Sequence, residues 1–134
     1  MENTIDNRTS VQSTGKVVNI VVWVLQIAAA ALFLMAGFGK LSGDPQMVGL
    51  FDKVGIGQWF RYLTGGLEVV SALLLVIPRT SGVGGAILVP VMIGAVATHL
   101  FIVGGSPVLP LVLLVVVGIV AWVRRDRTIR LLGL

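Results

Sequence analysis

Glu68 is the residue of this chain that is hardest to reconcile with its surroundings. It lies about halfway along the apolar stretch from Trp59 to Pro78, which is long enough to cross a membrane as a helix. A bare carboxylate at that depth is costly, so it must be protonated, paired with a cation or hydrated. Such a group can accept a proton or a hydrogen bond from a bound molecule, or it can hold a cationic side chain. The function of the chain therefore depends on which residues meet Glu68.

Polar residues in the same stretch are aligned with this carboxylate. Arg61 and Thr64 precede Glu68, Ser71 follows it, and each step between them is three or four residues. Residues with these spacings share one face of an α-helix, and the opposite face here consists of Leu, Val and Ile. The pattern predicts a polar stripe that faces into a helical bundle.

Lys40, Arg61 and His99 are the candidate partners of Glu68. Lys40 ends the first apolar segment, Arg61 begins the second, and His99 lies near the end of the third, so antiparallel helices would place all of them on one side. The long side chains of Lys40 and Arg61 can reach along a helix, and His99 can exchange protons near neutral pH. We predict a polar pocket floored by Glu68 and lined by Lys40, Arg61, His99 and Thr64.

Simpler interpretations of the same residues stay open. Glu68 with a basic partner can be a structural ion pair that only fixes how two helices pack. Lys40 can be an anchor at the membrane interface, and His99 can be an ordinary hydrogen-bonded residue there. The sequence predicts no catalytic residue, and a single His without any Cys predicts no metal site.

Composition restricts the class of protein. The chain has 134 residues, of which 56% are hydrophobic and 12% are charged, and its mean hydropathy is +0.99. This leaves too little polar surface to coat a soluble globule, so we expect an integral membrane protein. The absence of Cys excludes disulfides and a dithiol redox relay. The net charge of +4 comes from few basic residues near the apolar segments, which indicates membrane orientation and excludes a nucleic-acid partner.

The apolar segments predict the fold. We expect an all-α, integral membrane four-helix transmembrane bundle, with a short amphipathic segment between helices 1 and 2 that begins at Asp44-Pro45. The expected parts are a disordered cytoplasmic tail, residues 1–16; a transmembrane domain, residues 17–123, with spans at about 17–41, 59–77, 83–103 and 108–123; and a basic cytoplasmic tail, residues 124–134.

The basic residues predict the orientation of these spans. An even number of spans puts both termini on one side of the membrane. Seven Lys and Arg residues fall on that side and three on the other: Arg8, Lys16, Arg79, Arg124, Arg125, Arg127 and Arg130 against Lys40, Lys53 and Arg61. The positive-inside rule then places both termini in the cytoplasm and the predicted pocket toward the outer face.

Several short motifs resemble a known family. They are Phe38-Gly39-Lys40-Leu41 at the end of the first span, Leu63 to Val70 (LTGGLEVV) in the second, and Met92 to His99 (MIGAVATH) in the third. In this order they resemble the DoxX family of small bacterial membrane proteins. The resemblance implies a four-helix bundle in the bacterial inner membrane, a link to redox or stress-response partners, and a bundle pocket lined by Lys40, Glu68 and His99.

Three functions are compatible with these expectations. The first is an auxiliary subunit of a redox or detoxification system, without independent catalytic activity, that binds a quinone-like or other small amphipathic ligand. Such a subunit has no intrinsic cofactor and must borrow its electron carrier, such as a quinone or the flavin or haem of a redox partner protein. The second is a small proton-coupled transporter, and the third is a scaffold in the lipid bilayer for a partner protein or for a second copy of the chain.

Overall fold

The computed structural model describes the backbone of residues 2–133 and the side chains of residues 15–133. These residues form α-helices and one π-helical turn, and no strand occurs among residues 2–133. The elements, in chain order, are α1 Glu2–Ser42, α2 Pro45–Val54, α3 Trp59–Val76, α4 Ser81–Thr98, the π turn His99–Val103, α5 Val108–Val123 and α6 Arg125–Leu131. The predicted all-α fold is confirmed.

Long apolar helices give the bundle its membrane character. Three segments are long and apolar enough to cross a bilayer, namely Gly15–Ser42, Trp59–Val76 and Ser81–Val103. α5 has 16 residues and so measures about 24 Å, less than the roughly 30 Å of a hydrocarbon core. α6 continues it after a bend of 60°, and the pair together can serve as a fourth span. Large apolar side chains such as Met35 and Phe101 point outward, as expected for lipid contact.

The helices pack in an order that follows the chain. α1 packs most extensively against α3, and α4 lies between α3 and α5. The residues at the centre of this core are fully buried, and they are Phe33, Leu75, Leu88, Val117 and Val120. Each of α1, α3, α4 and α5 contributes at least one of them, so the four long helices share a single core.

Two adjacent glycines allow α4 to fit between its neighbours. A Cβ on Gly84 would lie 2.8 Å from the carbonyl oxygen of Ser71 in α3, and a Cβ on Gly85 would lie 2.9 Å from that of Val117 in α5. Both obstacles are backbone atoms, which cannot rotate away. Residues without a side chain are therefore required where α4 meets α3 and α5.

The predicted amphipathic segment is α2. Its first turn is capped by Asp44, whose Oδ1 accepts a hydrogen bond from the backbone N–H of Gln46 at 3.1 Å, and Pro45 occupies the first helical position. The helix stops where Gly55 adopts a φ of 85°, a left-handed conformation that favours glycine. Phe51 is the buried anchor of α2 and packs edge-on against Phe60 of α3. α2 also contacts the π turn, so it lies over the end of the bundle where α1 finishes.

The two predicted tails differ in what the structure describes. The backbone of residues 2–16 forms the first part of α1, where the sequence predicts a disordered tail of residues 1–16. The side chains of residues 1–14 lie outside the described part of the chain, and the predicted disorder stays a prediction. In the basic segment 124–134, residues 125–131 form α6.

Candidate functional site

Lys40 and Glu68 form an ion pair where α1 crosses α3. The Nζ of Lys40 lies 2.9 Å from Oε1 of Glu68. It is the only ion pair among the side chains of residues 15–133. The Glu68 side chain is 2% exposed and that of Lys40 is 16% exposed, so the carboxylate is buried and the lysine side chain is partly exposed. The deep carboxylate therefore has its basic partner, on the neighbouring helix.

Glycines bring the backbones of α1 and α3 close enough for this pair. A Cβ on Gly65 would lie 2.9 Å from the Cβ of Lys40 and 3.2 Å from the carbonyl oxygen of Gly37. A Cβ on Gly37 would in turn lie 2.9 Å from the carbonyl oxygen of Gly65. The two glycines face each other across the crossing, and this close approach sets the distance that the Lys40 side chain must bridge to reach Glu68.

Arg61 takes a different role from the predicted one of contacting Glu68. Its side chain is buried, and its Nη1 donates a hydrogen bond to the backbone carbonyl of Lys40. Its Nε donates to Oε1 of Gln58 at 2.7 Å, and its guanidinium lies over the ring of Tyr62. The last carbonyls of a helix have no partner within that helix and carry partial negative charge, so a buried cation is stabilised there. Arg61 therefore caps the end of α1 and holds Lys40 in place through its backbone.

Thr64 and His99 are bonded within their own helices. The hydroxyl of Thr64 donates to the carbonyl of Phe60, one turn earlier on α3. Nδ1 of His99 lies 2.9 Å from the carbonyl oxygen of Ala95, at the start of the π turn. The structure thus brings Lys40, Glu68 and Arg61 together, and it leaves Thr64 and His99 engaged with backbone carbonyls. A ligand pocket lined by these residues stays a prediction.

Comparison with known proteins identifies the family. A family model described as the DoxX-like family matches residues 24–123, which is most of the chain. The chain belongs to the DoxX-like family. This confirms the family resemblance of the motifs around Lys40, Glu68 and His99, all of which lie inside the matched range. Comparisons with curated proteins and with solved structures found no match.

A second buried polar cluster lies toward the other end of this DoxX-like bundle. Nε2 of Gln26 donates to the carbonyl of Leu75 at 2.7 Å, and Oε1 of Gln26 accepts from Nε of Arg124 at 2.9 Å. Gln26 is fully buried, Arg124 is 6% exposed, and the Arg124 guanidinium lies 5.7 Å from the ring centre of Trp23. The cluster ties the ends of α3 and α5 to the middle of α1.

Sequence reasoning missed this cluster. The sequence places Arg124 in the predicted basic tail of residues 124–134 and predicts no partner for Gln26. The available signal was the glutamine itself, because an amide in the middle of an apolar helix requires hydrogen-bond partners. Arg124, at the end of the last span, is the long polar side chain that an antiparallel bundle can bring to the depth of Gln26.

Replacing Gln26 with leucine should lower the free energy of unfolding by about 1–3 kcal/mol, because the Leu75 carbonyl and the Arg124 Nε would both lose a buried partner. Denaturant titration in detergent micelles measures this change. Asn19→Leu is the matched control, since Asn19 is exposed on the same helix and should change stability little. Equal stability of the Gln26 variant and the wild type would contradict a structural role for the cluster.

Buried polar groups also lie between the Lys40–Glu68 pair and the Gln26–Arg124 cluster. Ser71 lies one turn after Glu68 on the buried face of α3, and among the described residues its hydroxyl has no hydrogen-bond partner. Leu75, whose carbonyl binds Gln26, follows one turn later. From Glu68 to Leu75 the helix rises about 10 Å. Buried polar side chains on this face therefore continue from Glu68 to Ser71, and the Gln26 amide binds this helix one turn later.

A cleft of about 410 Å³ opens at the Arg124 end of the bundle. It lies between the α3–α4 turn and α6, and its lining residues are Pro78, Arg79, Arg127, Arg130 and Leu131. It is separate from the Lys40–Glu68 pair, because Glu68 lies about halfway along α3 and none of the pair's residues lines the cleft. In the part of the chain that the structure describes, no three His, Asp or Glu residues come together in a way that could hold a metal ion.

Proposed function

We propose that this DoxX-like membrane protein is an auxiliary subunit of a redox or detoxification system and that it binds a quinone-like amphipathic molecule beside Lys40 and Glu68. The observation that supports this is the ion pair itself, with its buried carboxylate and partly exposed lysine side chain. The exposed fraction of Lys40 is the side from which a ligand would approach.

The chemistry of the pair suits a ligand with carbonyl oxygens. A lysine ammonium has three N–H donors, of which one faces Glu68, so the others are free to donate to a quinone oxygen. Reduction of a quinone to a quinol takes two electrons and two protons. The chain has no Cys to carry electrons, so the electrons would come from a partner protein. Lys40 would stabilise the negative charge that develops on the ligand oxygen, with Glu68 holding the ammonium in place, and the two protons would come from water at the exposed side of the pair.

The surrounding residues suit an amphipathic ligand. α2 lies over this end of the bundle and would cover the ligand head, while the exposed apolar residues of α1 and α3, such as Phe38 and Leu63, would contact an isoprenoid chain. In the orientation predicted from the basic residues, the site faces the outer half of a bacterial inner membrane, with both termini in the cytoplasm. A redox partner would then deliver electrons from the outer side of the membrane, where the site lies.

Purified protein in nanodiscs should bind a short-chain ubiquinone or menaquinone analogue saturably, and Lys40→Met should weaken that binding about tenfold or more, because a charge-assisted hydrogen bond is worth roughly 1.5–3 kcal/mol. Lys53→Met is the matched control, since Lys53 is exposed on α2 and outside the pair. Thermal melting of each variant separates loss of binding from loss of folding. Equal binding by wild type and Lys40→Met, or no saturable binding by the wild type, would contradict the proposal.

A second candidate function is a small proton-coupled transporter. A transporter needs a polar path for its substrate or for protons in both halves of the membrane. Beyond Glu68, the residues Ser71, Gln26 and Arg124 supply buried polar atoms in the second half of the bundle, which favours this function. Protein reconstituted in proteoliposomes distinguishes the two functions. Flux that collapses when the pH gradient is dissipated, without saturable quinone binding, would favour transport. If neither flux nor quinone binding is observed, the remaining function is a scaffold for a partner protein.

A further inference from the structure

The basic cleft at the Arg124 end of the bundle has no role in the function proposed above. Its charged lining residues, Arg79, Arg127 and Arg130, are all arginines. The remaining lining residues are apolar, Pro78 and Leu131. The cleft therefore combines three positive charges with two apolar residues.

The two walls of this cleft are held together by specific contacts. Nη1 of Arg127 on α6 donates to the carbonyl of Pro78 in the α3–α4 turn at 3.0 Å. Gly82, at the start of α4, packs so closely on the beginning of α6 that a Cβ there would lie 2.7 Å from the carbonyl oxygen of Arg124. The bend of 60° between α5 and α6 directs α6 across this end of the bundle. The arginines thus line a structured site, which distinguishes it from a flexible basic tail.

Arginine clusters of this kind recognise phosphate. The planar guanidinium donates paired hydrogen bonds to phosphate oxygens, and several guanidinium groups around one cavity favour a doubly or singly charged anion. The residues around the cleft favour a lipid as the source of that phosphate. Ile77, Ile129 and Leu132 are each next in sequence to a lining residue and are 46%, 44% and 64% exposed, so apolar surface is available near the charges.

We propose that this cleft is a binding site for the phosphate group of an anionic phospholipid. The phosphate would contact Arg79 and Arg130, while Arg127 keeps its bond to Pro78 and offers its remaining donors. The acyl chains would run along the exposed apolar residues at the end of α3 and on α6. Diffuse attraction between basic residues and an anionic membrane depends only on the number of charges, whereas this site depends on which arginines are present.

Native mass spectrometry of the full-length protein in detergent, titrated with phosphatidylglycerol or phosphatidylcholine, tests the site. The protein should retain phosphatidylglycerol preferentially. Arg130→Gln and Arg79→Gln should each weaken that retention about fivefold, which corresponds to about 1 kcal/mol for the loss of one guanidinium–phosphate contact. Arg125→Gln is the matched control: it removes the same charge from α6, but Arg125 lies outside the cleft, stacks on Trp122 and donates to its carbonyl at 2.7 Å.

The outcomes separate a site from diffuse attraction. If Arg125→Gln weakens retention as much as Arg130→Gln, the proposal is wrong, because only the number of charges matters. Absence of any preference for phosphatidylglycerol overturns it as well. Displacement of the lipid by millimolar inorganic phosphate would support the phosphate site and would show that free phosphate also occupies it. Melting temperatures of the variants identify any loss caused by unfolding.

Discussion

Lys40→Met should lower the free energy of unfolding by about 3–5 kcal/mol, the cost of leaving one member of a buried ion pair without its partner. Glu68 is only 2% exposed at its side chain, so it cannot recover solvation by moving toward the interface. Glu68→Gln should cost less, because the Lys40 that remains is 16% exposed and its long side chain can reach the interface. Denaturant titration in a defined detergent measures both changes.

Lys53→Met is the control for loss of a lysine at an exposed position, and it should leave the unfolding free energy nearly unchanged. The double variant Lys40→Met with Glu68→Gln should be more stable than Lys40→Met alone, because it no longer buries an unpaired carboxylate. If the two single changes instead cost the same as each other and add in the double variant, Lys40 and Glu68 do not interact in the folded protein.

Replacing Gly84 and Gly85 together with alanine should lower the free energy of unfolding by roughly 2–6 kcal/mol, the sum of two overpacked contacts. Each new Cβ would lie within 3 Å of a backbone carbonyl oxygen, one in α3 and one in α5. α4 would have to move away from both neighbours at once, which would open the core around Leu88. Thermal and denaturant unfolding of the double variant in detergent measure the effect.

Gly94 and Gly118 provide the matched control on the same helix pair. An added Cβ at either position meets no heavy atom within 4 Å. Because alanine favours a helix over glycine by up to about 1 kcal/mol, these changes should be neutral or slightly stabilising. Destabilisation by Gly94→Ala as large as that by the Gly84 and Gly85 change would show that helix packing at α4 is not the cause.

The fold and the need of Glu68 for a basic partner could be predicted because depth in a membrane can be estimated from sequence, although the sequence left Lys40, Arg61 and His99 as candidates. The length of an apolar run predicts a span, and the position of a charge within the run gives its depth. Glu68 lies too deep to stay alone, and Lys40 ends the preceding span at a depth from which its side chain can reach down. The capping sequence Asp44-Pro45 likewise marked the start of α2, which the structure confirms.

Other contacts could not be predicted, because sequence does not show which backbone carbonyls end up without a partner. Arg61 binds the carbonyl of Lys40 and Gln26 binds that of Leu75, and both carbonyls lie in the last turn of a helix. These acceptors depend on where each helix ends and which neighbour crosses there. The sequence also does not show how each helix is rotated about its axis. That rotation brings Arg124 to Gln26, and it leaves His99 bonded to its own helix.

The distance between the Lys40 ammonium and the Glu68 carboxyl group is the most direct test of this description of the protein. The chain contains two glutamates and three lysines, so solid-state NMR of protein in lipid, labelled with ¹⁵N at lysine Nζ and ¹³C at glutamate Cδ, can report that pair alone. One glutamate carboxyl signal should show strong dipolar coupling to a lysine nitrogen, consistent with the Nζ–Oε1 separation of 2.9 Å, and Lys40→Met should abolish it. A glutamate spectrum without any such coupling, or a coupling that survives Lys40→Met, would contradict the ion pair and the site built on it.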